Sequence, residues 1–284
     1  MLGFNRIGTM GRLGNQMFQY AALKGIAANR GFDYTIPNAD ANIQIDNYGL
    51  LEAFELTTNR NVAWLRNQNQ VNERFYHFDE ELFNTCPDGI NICGFFQSEK
   101  YFKNVEEDLR KDFVFRSDWL EPCKEFMSEL EGQEVAFLHV RRGDPNLADK
   151  RGFKWAYVNI QDQHPVQPLE YYEEALKRFP EDMPIIVFSD AIDWCKEQEF
   201  FASDRFMFSE PEHVYEDGAL VPYVDLCLMS LCDHAIIANS SMSWWGAWLI
   251  SNPNKKVIAP KMWFGPAYAD KDTKDLIPTE WERI

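Results

Sequence analysis

The chain has 284 residues, 45% of them hydrophobic and 15% aromatic, which suits one large domain or two of ordinary size and excludes a disordered chain. Its formal net charge is -17. Because so acidic a surface repels phosphate backbones and anionic lipid, nucleic acid and membrane surfaces are excluded as expected partners.

The cysteine and histidine content argues against a disulfide framework and against a zinc site. The six cysteines are scattered without a C-x-x-C pair, and the five histidines show no i, i+4 spacing. The sequence starts without a charged segment followed by an apolar one, and it holds no run of 18 apolar residues. We therefore expect free thiols, no metal, no transmembrane segment and a cytoplasmic location.

The first half of the chain predicts a mixture of strands and helices. A strand is expected near Ile7–Met10, followed by a helix over 11–31 that Gly31 ends. Further elements are expected as a strand over 32–37, a strand over 90–97, a helix after Ser98 and a helix over 118–132. The segment 38–87 carries no clear pattern.

From residue 134 onward, strands and amphipathic helices alternate regularly. Strands are predicted over 134–140, 184–189, 205–209, 234–239 and 255–260. Such alternation is typical of right-handed crossovers and a parallel sheet that is covered on both faces. It predicts a Rossmann-like domain over 133–284, preceded by an α/β domain over 1–132.

Polar residues follow every one of these five strands, at the edge where open parallel sheets bind ligands. They are Arg141-Arg142-Gly143-Asp144, Ser189-Asp190, Ser209-Glu210, Asn239-Ser240-Ser241 and Pro260-Lys261. This repetition indicates a ligand site at the carboxyl edge of the second sheet.

The arginine pair after the first of these strands indicates an anionic ligand. Guanidinium groups match phosphate oxygens in bidentate fashion, and Gly143 lets the main chain approach a ligand closely. The alternative is a structural ion pair with Asp144 or with a surface carboxylate.

A second anion-binding feature is expected where a helix starts near Met242. Ser240 or Ser241 would cap this helix, whose free N–H groups and positive dipole end attract anions. Plain helix capping is the alternative. The two features lie at neighbouring strand ends, which favours a diphosphate.

Three further polar residues are candidates for contact with a ligand. Asp190 and Asp225 can grip the ribose or base of a nucleotide, since one carboxylate accepts both N1–H and N2–H₂ of guanine; helix capping and a solvated surface are the alternatives. Asn15, after a turn with Gly11 and Gly14, can cap its helix or reach a ligand.

Five segments together resemble the α-1,2-fucosyltransferases, glycosyltransferase family 11. They are GRLGNQMFQYA, HVRRGD, FSDAIDWC, CDHAIIANSSMSWWGAWL and NPNKKVIAPKMWF, and they span residues 11–264. The resemblance implies an α/β GT-B fold, with two Rossmann-like domains and a cleft between them. The C-terminal domain, 133–284, would hold GDP-β-L-fucose, and the N-terminal domain, 1–132, is expected on the acceptor side. It also implies metal-independent, inverting transfer of L-fucose from GDP-β-L-fucose to the 2-hydroxyl of a galactoside, in a glycan or lipid-linked glycan.

The resemblance also suggests individual roles in this site. Arg141 would contact the β-phosphate and support departure of GDP, with His139 and Arg142 beside it. Ser240 and Ser241 would bind the diphosphate, Asp225 the guanosine, and Asn15 the region of the fucose and phosphates. The complete set expected to bind substrate is His139, Arg142, Asp144, Ser189, Asp190, Asp225, Asn239, Ser240, Ser241 and Met242.

The general base and the acceptor are the least constrained. A related fucosyltransferase group has a glutamate eight residues past the first arginine, where this chain has Asp149, while Asp144 would orient the arginines. Pro145 departs from the tyrosine common in relatives. In the long insert that follows, Trp155, Tyr157 and His164 can stack on an acceptor sugar or simply pack.

Other functions remain open at this stage. A glycosyltransferase with another nucleotide sugar or linkage is one, and a non-catalytic nucleotide- or glycan-binding protein of the same fold is another. A dinucleotide oxidoreductase is disfavoured because no G-x-G-x-x-G follows a strand.

Overall fold

Two separate parallel β-sheets organise the part of the chain that the computed structural model describes, residues 1–37, 49–56, 67–143, 157–210 and 221–284. Unit 1 comprises residues 1–116 and 271–278, and unit 2 comprises residues 117–270 and 279–284. None of the helices in these ranges is both long and apolar enough to cross a membrane.

Unit 1 holds a four-stranded sheet with the order β2-β1-β4-β3. Its elements are β1 (Leu2–Gly3), α1 (Leu13–Arg30), β2 (Tyr34–Thr35), α2 (Gly49–Ala53), β3 (Gln70–Asn72), α3 (Glu80–Thr85), β4 (Asn91–Cys93) and α4 (Glu106–Asp112). All neighbouring strands are parallel, so the carboxyl ends lie at one edge.

Helix α1 confirms the helix predicted over 11–31. It buries thirteen of its residues, and Gly31 ends it in the left-handed region at φ 69°, with its N–H directed at the last carbonyls. The strand predicted near Ile7–Met10 is wrong, since β1 lies earlier. Gly8 and Gly11 adopt φ values of 83° and 81°, which interrupt extended backbone and form a turn between β1 and α1.

Unit 2 holds a six-stranded sheet with the order β10-β9-β8-β5-β6-β7. Its elements are α5 (Ser117–Ser128), β5 (Ala136–Val140), α6 (Leu169–Leu176), β6 (Ile185–Ser189), α7 (Ile192–Lys196), β7 (Phe206–Phe208), α8 (Pro222–Leu231), β8 (His234–Ile236), α9 (Ser241–Leu249), β9 (Val257–Ala259) and β10 (Glu282–Arg283). The five predicted strands are all present, and β10 is a sixth that the sequence pattern missed.

The strand order of unit 2 is that of a Rossmann fold. Numbered within the unit, the strands run 3-2-1-4-5-6 across the sheet, and the order reverses between β5 and β8. Strand β5 is fully buried and lies in the middle of the sheet, paired in parallel with β6 on one side and β8 on the other. Ligands of such sheets bind outside the carboxyl ends at this reversal.

The boundary between the units falls sixteen residues earlier than the expected position at 132. Helix α5 belongs to unit 2 because it packs on α8: the rings of Trp119 and Tyr223 lie 4.6 Å apart, and the Cys123 thiol donates to the Val224 carbonyl at 3.7 Å. Residues 271–278 return to unit 1. Tertiary packing of this kind leaves no signal in local hydrophobic periodicity.

Helix α9 is largely buried in the core of unit 2. Trp244 and Trp245 are fully buried, with ring centroids 5.0 Å apart, and Trp244 also contacts Trp281 at 5.2 Å. At the far end of α9, the Lys255 ammonium donates to the carbonyls of Ala247, Trp248 and Ile250 at 2.8, 2.9 and 3.1 Å. The helix is thereby fixed in the core, and its last carbonyls are satisfied.

All six cysteines are free and buried, as expected from their spacing. Burial raises the pKa of the Cys86 and Cys195 thiols to about 11. These two thiols are therefore poor nucleophiles at neutral pH, and the sequence and structure agree that they serve packing.

Candidate active site

Arg141 follows β5 directly and is held from two sides. Its guanidinium forms an ion pair with the Asp190 carboxylate at 2.5 Å, and its central carbon lies 4.9 Å from the ring centroid of Tyr157. Burial favours a lower pKa for Arg141, but Asp190 and Tyr157 outweigh it and raise the pKa, so the side chain stays cationic. About 15% of the side chain is exposed, which leaves it accessible to a small anion.

Asp190 fixes the main chain of the loop as well as the arginine. One of its oxygens accepts hydrogen bonds from the backbone N–H groups of Arg142 and Gly143, at 3.0 and 2.9 Å. Burial opposes ionisation of Asp190, but Arg141 and these two N–H groups hold its pKa below the ordinary value. Its partners within the protein are thus the residues of the arginine loop, and contact of Asp190 with a nucleotide stays a prediction.

The loop after β5 depends on glycine at its third position. Gly143 has φ 68°, in the left-handed region that side chains other than glycine rarely adopt. In that conformation its N–H points at Asp190, next to the N–H of Arg142. The glycine is thus required by the turn that orients the arginine pair.

Arg142 is stacked on an aromatic ring that the sequence did not single out. Its guanidinium carbon lies 3.7 Å from the ring centroid of Trp194 in α7, a close cation–π contact. Both arginines therefore lie against aromatic rings. The segment FSDAIDWC supplies both Asp190 and Trp194, the groups that hold the pair.

His139, the last but one residue of β5, is buried and neutral. Burial and the nearby Arg141 lower its pKa to about 3. Among the described residues, its Nδ1 has no hydrogen-bond partner. This unpaired nitrogen lies one residue from the strand end, and contact of His139 with a ligand stays a prediction.

The amino-terminal end of α9 lies next to the arginine loop, because β8 and β5 are neighbours. The helix starts at Ser241, one residue before the predicted start, and Ser240 is its N-cap without a side-chain cap bond. Ser241 and Met242 form the partly buried first turn. The start of α9 thus lies where it was expected, and anion binding by its first N–H groups stays a prediction.

Asn239 and Ser189 are already occupied by hydrogen bonds within the protein. The Asn239 amide donates to the carbonyls of Pro165 and Trp263 and accepts from Gln167, at 3.0 to 3.1 Å. The Ser189 hydroxyl accepts from the N–H of Ala191 at 2.9 Å. Both side chains shape the carboxyl edge, and a direct contact of either with substrate stays a prediction.

Asp225 lies in the first turn of α8 and accepts a hydrogen bond from the Ser209 hydroxyl at 2.7 Å. Burial raises the pKa of Asp225 to about 6, and the bond from Ser209 opposes this rise. Ser209 follows β7, so the pair lies at the same carboxyl edge as the arginines. An ionised carboxylate here can accept the two donors of a guanine edge.

Asn15 lies in the first turn of α1 in unit 1. Its side-chain oxygen accepts from the Gln97 amide at 2.7 Å, and the side chain packs over Gly11, where an added Cβ would approach within 2.6 Å. The amide hydrogens of Asn15 are not used in this bond. The turn with Gly11 therefore serves close packing of Asn15, and Gln97 orients its amide.

Glu73 is a residue that sequence reasoning missed. It follows β3 and accepts hydrogen bonds from the N–H groups of Phe95 and Phe96, at 2.7 and 2.9 Å. Burial raises its pKa to about 7 in spite of these bonds. The lack of periodicity over 38–87 concealed β3, and with it a carboxylate at the carboxyl edge of unit 1.

Two of the expected residues, Asp144 and Asp149, lie outside the described residues, as does Trp155. Tyr157 and His164 are stacked on each other at 5.0 Å, and His164 also contacts Phe264 and Tyr268. Of the two roles considered for them, packing is the one observed.

Comparison with known proteins agrees with this arrangement. The model of glycosyl transferase family 11 matches residues 2–284. An α-1,2-colitosyltransferase of Escherichia coli is 30% identical over 301 residues, covering 96% of both chains. Mouse galactoside α-(1,2)-fucosyltransferase 2 is 25% identical, over 87% of this chain and 68% of the relative.

A solved structure shows the fold. The fucosyltransferase NodZ from Bradyrhizobium superposes with a TM-score of 0.54 over 88% of this chain and 93% of NodZ, at 14% identity. The GT-B fold class implied by the resemblance is confirmed. With a family model matched along nearly its whole length, the chain belongs to glycosyltransferase family 11.

Proposed function

We propose that this fucosyltransferase-like protein transfers L-fucose from GDP-β-L-fucose to the 2-hydroxyl of a galactoside, in a glycan or a lipid-linked glycan. The observation that carries the proposal is the pair of fixed guanidinium groups after β5, beside the uncapped start of α9 after the neighbouring β8. Guanidinium groups and helix starts both bind anions, and these two follow neighbouring strands at the edge where a Rossmann sheet binds its ligand. A diphosphate has one phosphate for the arginine pair and one for the start of α9.

The chemistry follows from where charge develops. The bond from the sugar C1 to the β-phosphate oxygen breaks, and its electron pair leaves with GDP while the sugar becomes oxocarbenium-like. Arg141 and the first N–H groups of α9 stabilise the growing negative charge because they are already oriented towards it. The acceptor oxygen then bonds to C1 from the opposite face, which converts the β-linkage to an α-linkage.

The proposal assigns no metal to the reaction, since fixed cations take the place of one at the diphosphate. Guanosine recognition falls on Asp225, and the proton of the acceptor hydroxyl passes to a carboxylate, for which Asp149 is the choice that the family resemblance supports. An Asp149→Asn variant that turns over at the wild-type rate would remove Asp149 from this role.

A second donor is favoured by one specific relative. The protein from Escherichia coli that is 30% identical over 96% of this chain is an α-1,2-colitosyltransferase, and colitose is fucose without its 3-hydroxyl. GDP-colitose is therefore the alternative donor. The nucleotide and the α-1,2 linkage are common to both candidates, and the contact to the 3-hydroxyl distinguishes them.

The decisive experiment offers both donors with a panel of galactosides, with and without EDTA, followed by linkage analysis of each product. We expect an α-1,2-linked product from GDP-fucose that EDTA does not suppress. A preference for GDP-colitose would select the alternative donor. Binding of GDP without any product would indicate a non-catalytic protein.

A further inference from the structure

Two buried side-chain amides, those of Gln167 and Asn239, join three segments at the carboxyl edge of unit 2. The Gln167 amide donates to the Asn239 side-chain oxygen at 3.1 Å and to the Met262 carbonyl at 3.0 Å. The Asn239 amide donates to the carbonyls of Pro165 and Trp263, at 3.0 and 3.1 Å. All four amide hydrogens of this amide pair are therefore used within the protein.

Residues 157–167, which we call the bridging segment, contact the arginine loop at one end. The Val158 N–H donates to the Arg142 carbonyl at 3.0 Å. The ring centroid of Tyr157 lies 4.9 Å from the guanidinium carbon of Arg141. The bridging segment thus contacts the main chain of one arginine and the side chain of the other.

The other end of the bridging segment contacts the residue that leads into α9. Asn239 follows β8 and directly precedes Ser240, the N-cap of α9. Pro165 and Gln167 are the two residues of the bridging segment that bind Asn239. Because Asn239 and Ser240 are adjacent in the chain, a shift of Asn239 displaces the first turn of α9.

We propose that the amide pair of Gln167 and Asn239 positions the start of α9 relative to the arginine loop, so that one donor diphosphate contacts both. The inference rests on the proposed function, because that function assigns the diphosphate to these two groups. Donors stabilise developing charge only when they are already in place. A misplacement of about 1 Å can lower a rate on the order of a hundredfold, so Gln167 can act as a positioning residue without touching the substrate.

Packing alone would not require this pair. Apolar side chains can fill the same space without introducing four N–H groups that each need an acceptor. Strands β8 and β9 are already joined by their backbones, for example by the bond of 2.9 Å from the Ile237 N–H to the Ile258 carbonyl. The amide pair instead connects loops beyond the ends of these strands, and a satisfied buried network of this kind fixes one arrangement.

The test replaces Gln167 by Met, which has a similar length but donates no hydrogen bond. We expect the Kd for GDP to rise about tenfold, while the Kd for guanosine, which lacks the diphosphate, stays within about twofold of wild type. Isothermal titration calorimetry measures both constants. The kcat for transfer should fall at least about tenfold. An unchanged Kd for GDP in a folded Gln167→Met variant would overturn the proposal.

Tyr171→Phe is the matched control. The buried Tyr171 hydroxyl donates to the carbonyls of Ile237 and Ile258, at 2.7 and 3.1 Å. This variant loses buried hydrogen bonds to two carbonyls of the same unit but keeps the bridging segment attached, so we expect it to retain both Kd values. If it weakens GDP binding as much as Gln167→Met does, the effect reflects lost stability and the positioning role is wrong.

Gly265→Ala displaces the bridging segment without changing either amide. An added Cβ would approach the carbonyl oxygens of Gln161 and Asp162 within 2.5 Å, so the segment has to shift. We expect the same selective loss of GDP affinity. Circular dichroism with thermal unfolding reports whether each variant folds, and Gly265→Ala provides the test if Gln167→Met does not fold.

The proposed function and the positioning role fail in different ways. If the wild type binds GDP but transfers no sugar, the proposed function fails, and the comparison of GDP with guanosine still decides the role of the amide pair. If the wild type transfers sugar and both folded variants bind GDP as it does, only the positioning role fails. If the wild type does not bind GDP, both are wrong.

Discussion

The guanidinium of Arg142 lies over the ring of Trp194, with 3.7 Å between the guanidinium carbon and the ring centroid. Replacing Trp194 by Leu removes this contact but keeps apolar bulk in α7. Cation–π contacts contribute about 1 to 2 kcal/mol when partly desolvated, so we expect the Kd for GDP to rise roughly five- to thirtyfold. Isothermal titration calorimetry measures it. Trp194→Phe should raise the Kd for GDP less than Trp194→Leu does, and an equal rise in both variants would exclude a role of the ring face.

In the proposed reaction, Arg141 supplies fixed positive charge where the leaving group forms. We expect Arg141→Ala to reduce the kcat for transfer on the order of a hundredfold or more, about 3 kcal/mol, by analogy with the loss of one oxyanion donor. Arg141→Lys keeps charge but loses the fork that pairs with Asp190, and it should recover only part of the rate. Steady-state kinetics with GDP-fucose measure both, and circular dichroism controls for folding. Near-normal turnover of the alanine variant would refute the assignment.

Recognition of guanine by Asp225 predicts a pH-dependent nucleotide preference. Since burial raises its pKa to about 6, the carboxylate that accepts guanine N–H groups is lost as the pH falls below that value. We expect the preference for GDP over ADP to decline below pH 6, and ADP corrects for titration of the phosphates themselves. Calorimetric titrations between pH 5 and pH 8 measure the Kd for GDP and the Kd for ADP at each pH. These two pH limits lie roughly one unit or more on either side of this pKa.

Ser209 offers a matched variant for the same prediction. Its hydrogen bond lowers the pKa of Asp225, so Ser209→Ala should move the midpoint of the GDP preference to higher pH. Asp225→Asn should abolish the pH dependence of the preference altogether. A preference that stays constant with pH in the wild type would argue against Asp225 as the guanine ligand.

His139 predicts acid sensitivity of unit 2. Its pKa is lowered from 6.5 to about 3, so between these values the unfolded chain binds a proton that the folded chain does not. This group's contribution to the free energy of unfolding is therefore present above pH 6.5 and is lost as the pH falls, by up to about 1.4 kcal/mol per pH unit. Urea unfolding at several pH values measures it. In His139→Gln the free energy of unfolding should fall less steeply as the pH is lowered. Equal slopes in the variant and the wild type would contradict the prediction.

The second half of the fold could be predicted because strand and helix periodicities alternate there without interruption. The arginine pair and the start of α9 can be singled out for the same reason, since they lie directly after a predicted strand and at the start of a predicted helix, and Asp225 lies in the first turn of another predicted helix. The partners of those residues could not be found in this way. Trp194 and Tyr157 contact the arginines through side-chain orientation, which a linear pattern does not record.

The misplaced boundary and the missed elements have a similar cause. Helix α5 was assigned to the first domain because it precedes the regular pattern, but its packing on α8 places it in unit 2. Strand β10 has two residues and β3 has three, too few for a period to be detected. The contacts of Glu73 therefore became visible only in three dimensions.

Lys255 binds the carboxyl-terminal end of α9, which is the end opposite the first turn that we propose to bind the diphosphate. Its ammonium lies on the carbonyls where the helix dipole is negative, and nine residues span about 14 Å, so it lies a full helix length away from the first turn. Acetylation of this one amine would remove the counter-charge and leave three carbonyls without their donor. The charge of Lys255 thus offsets the negative end of the helix whose opposite end is proposed to bind the donor.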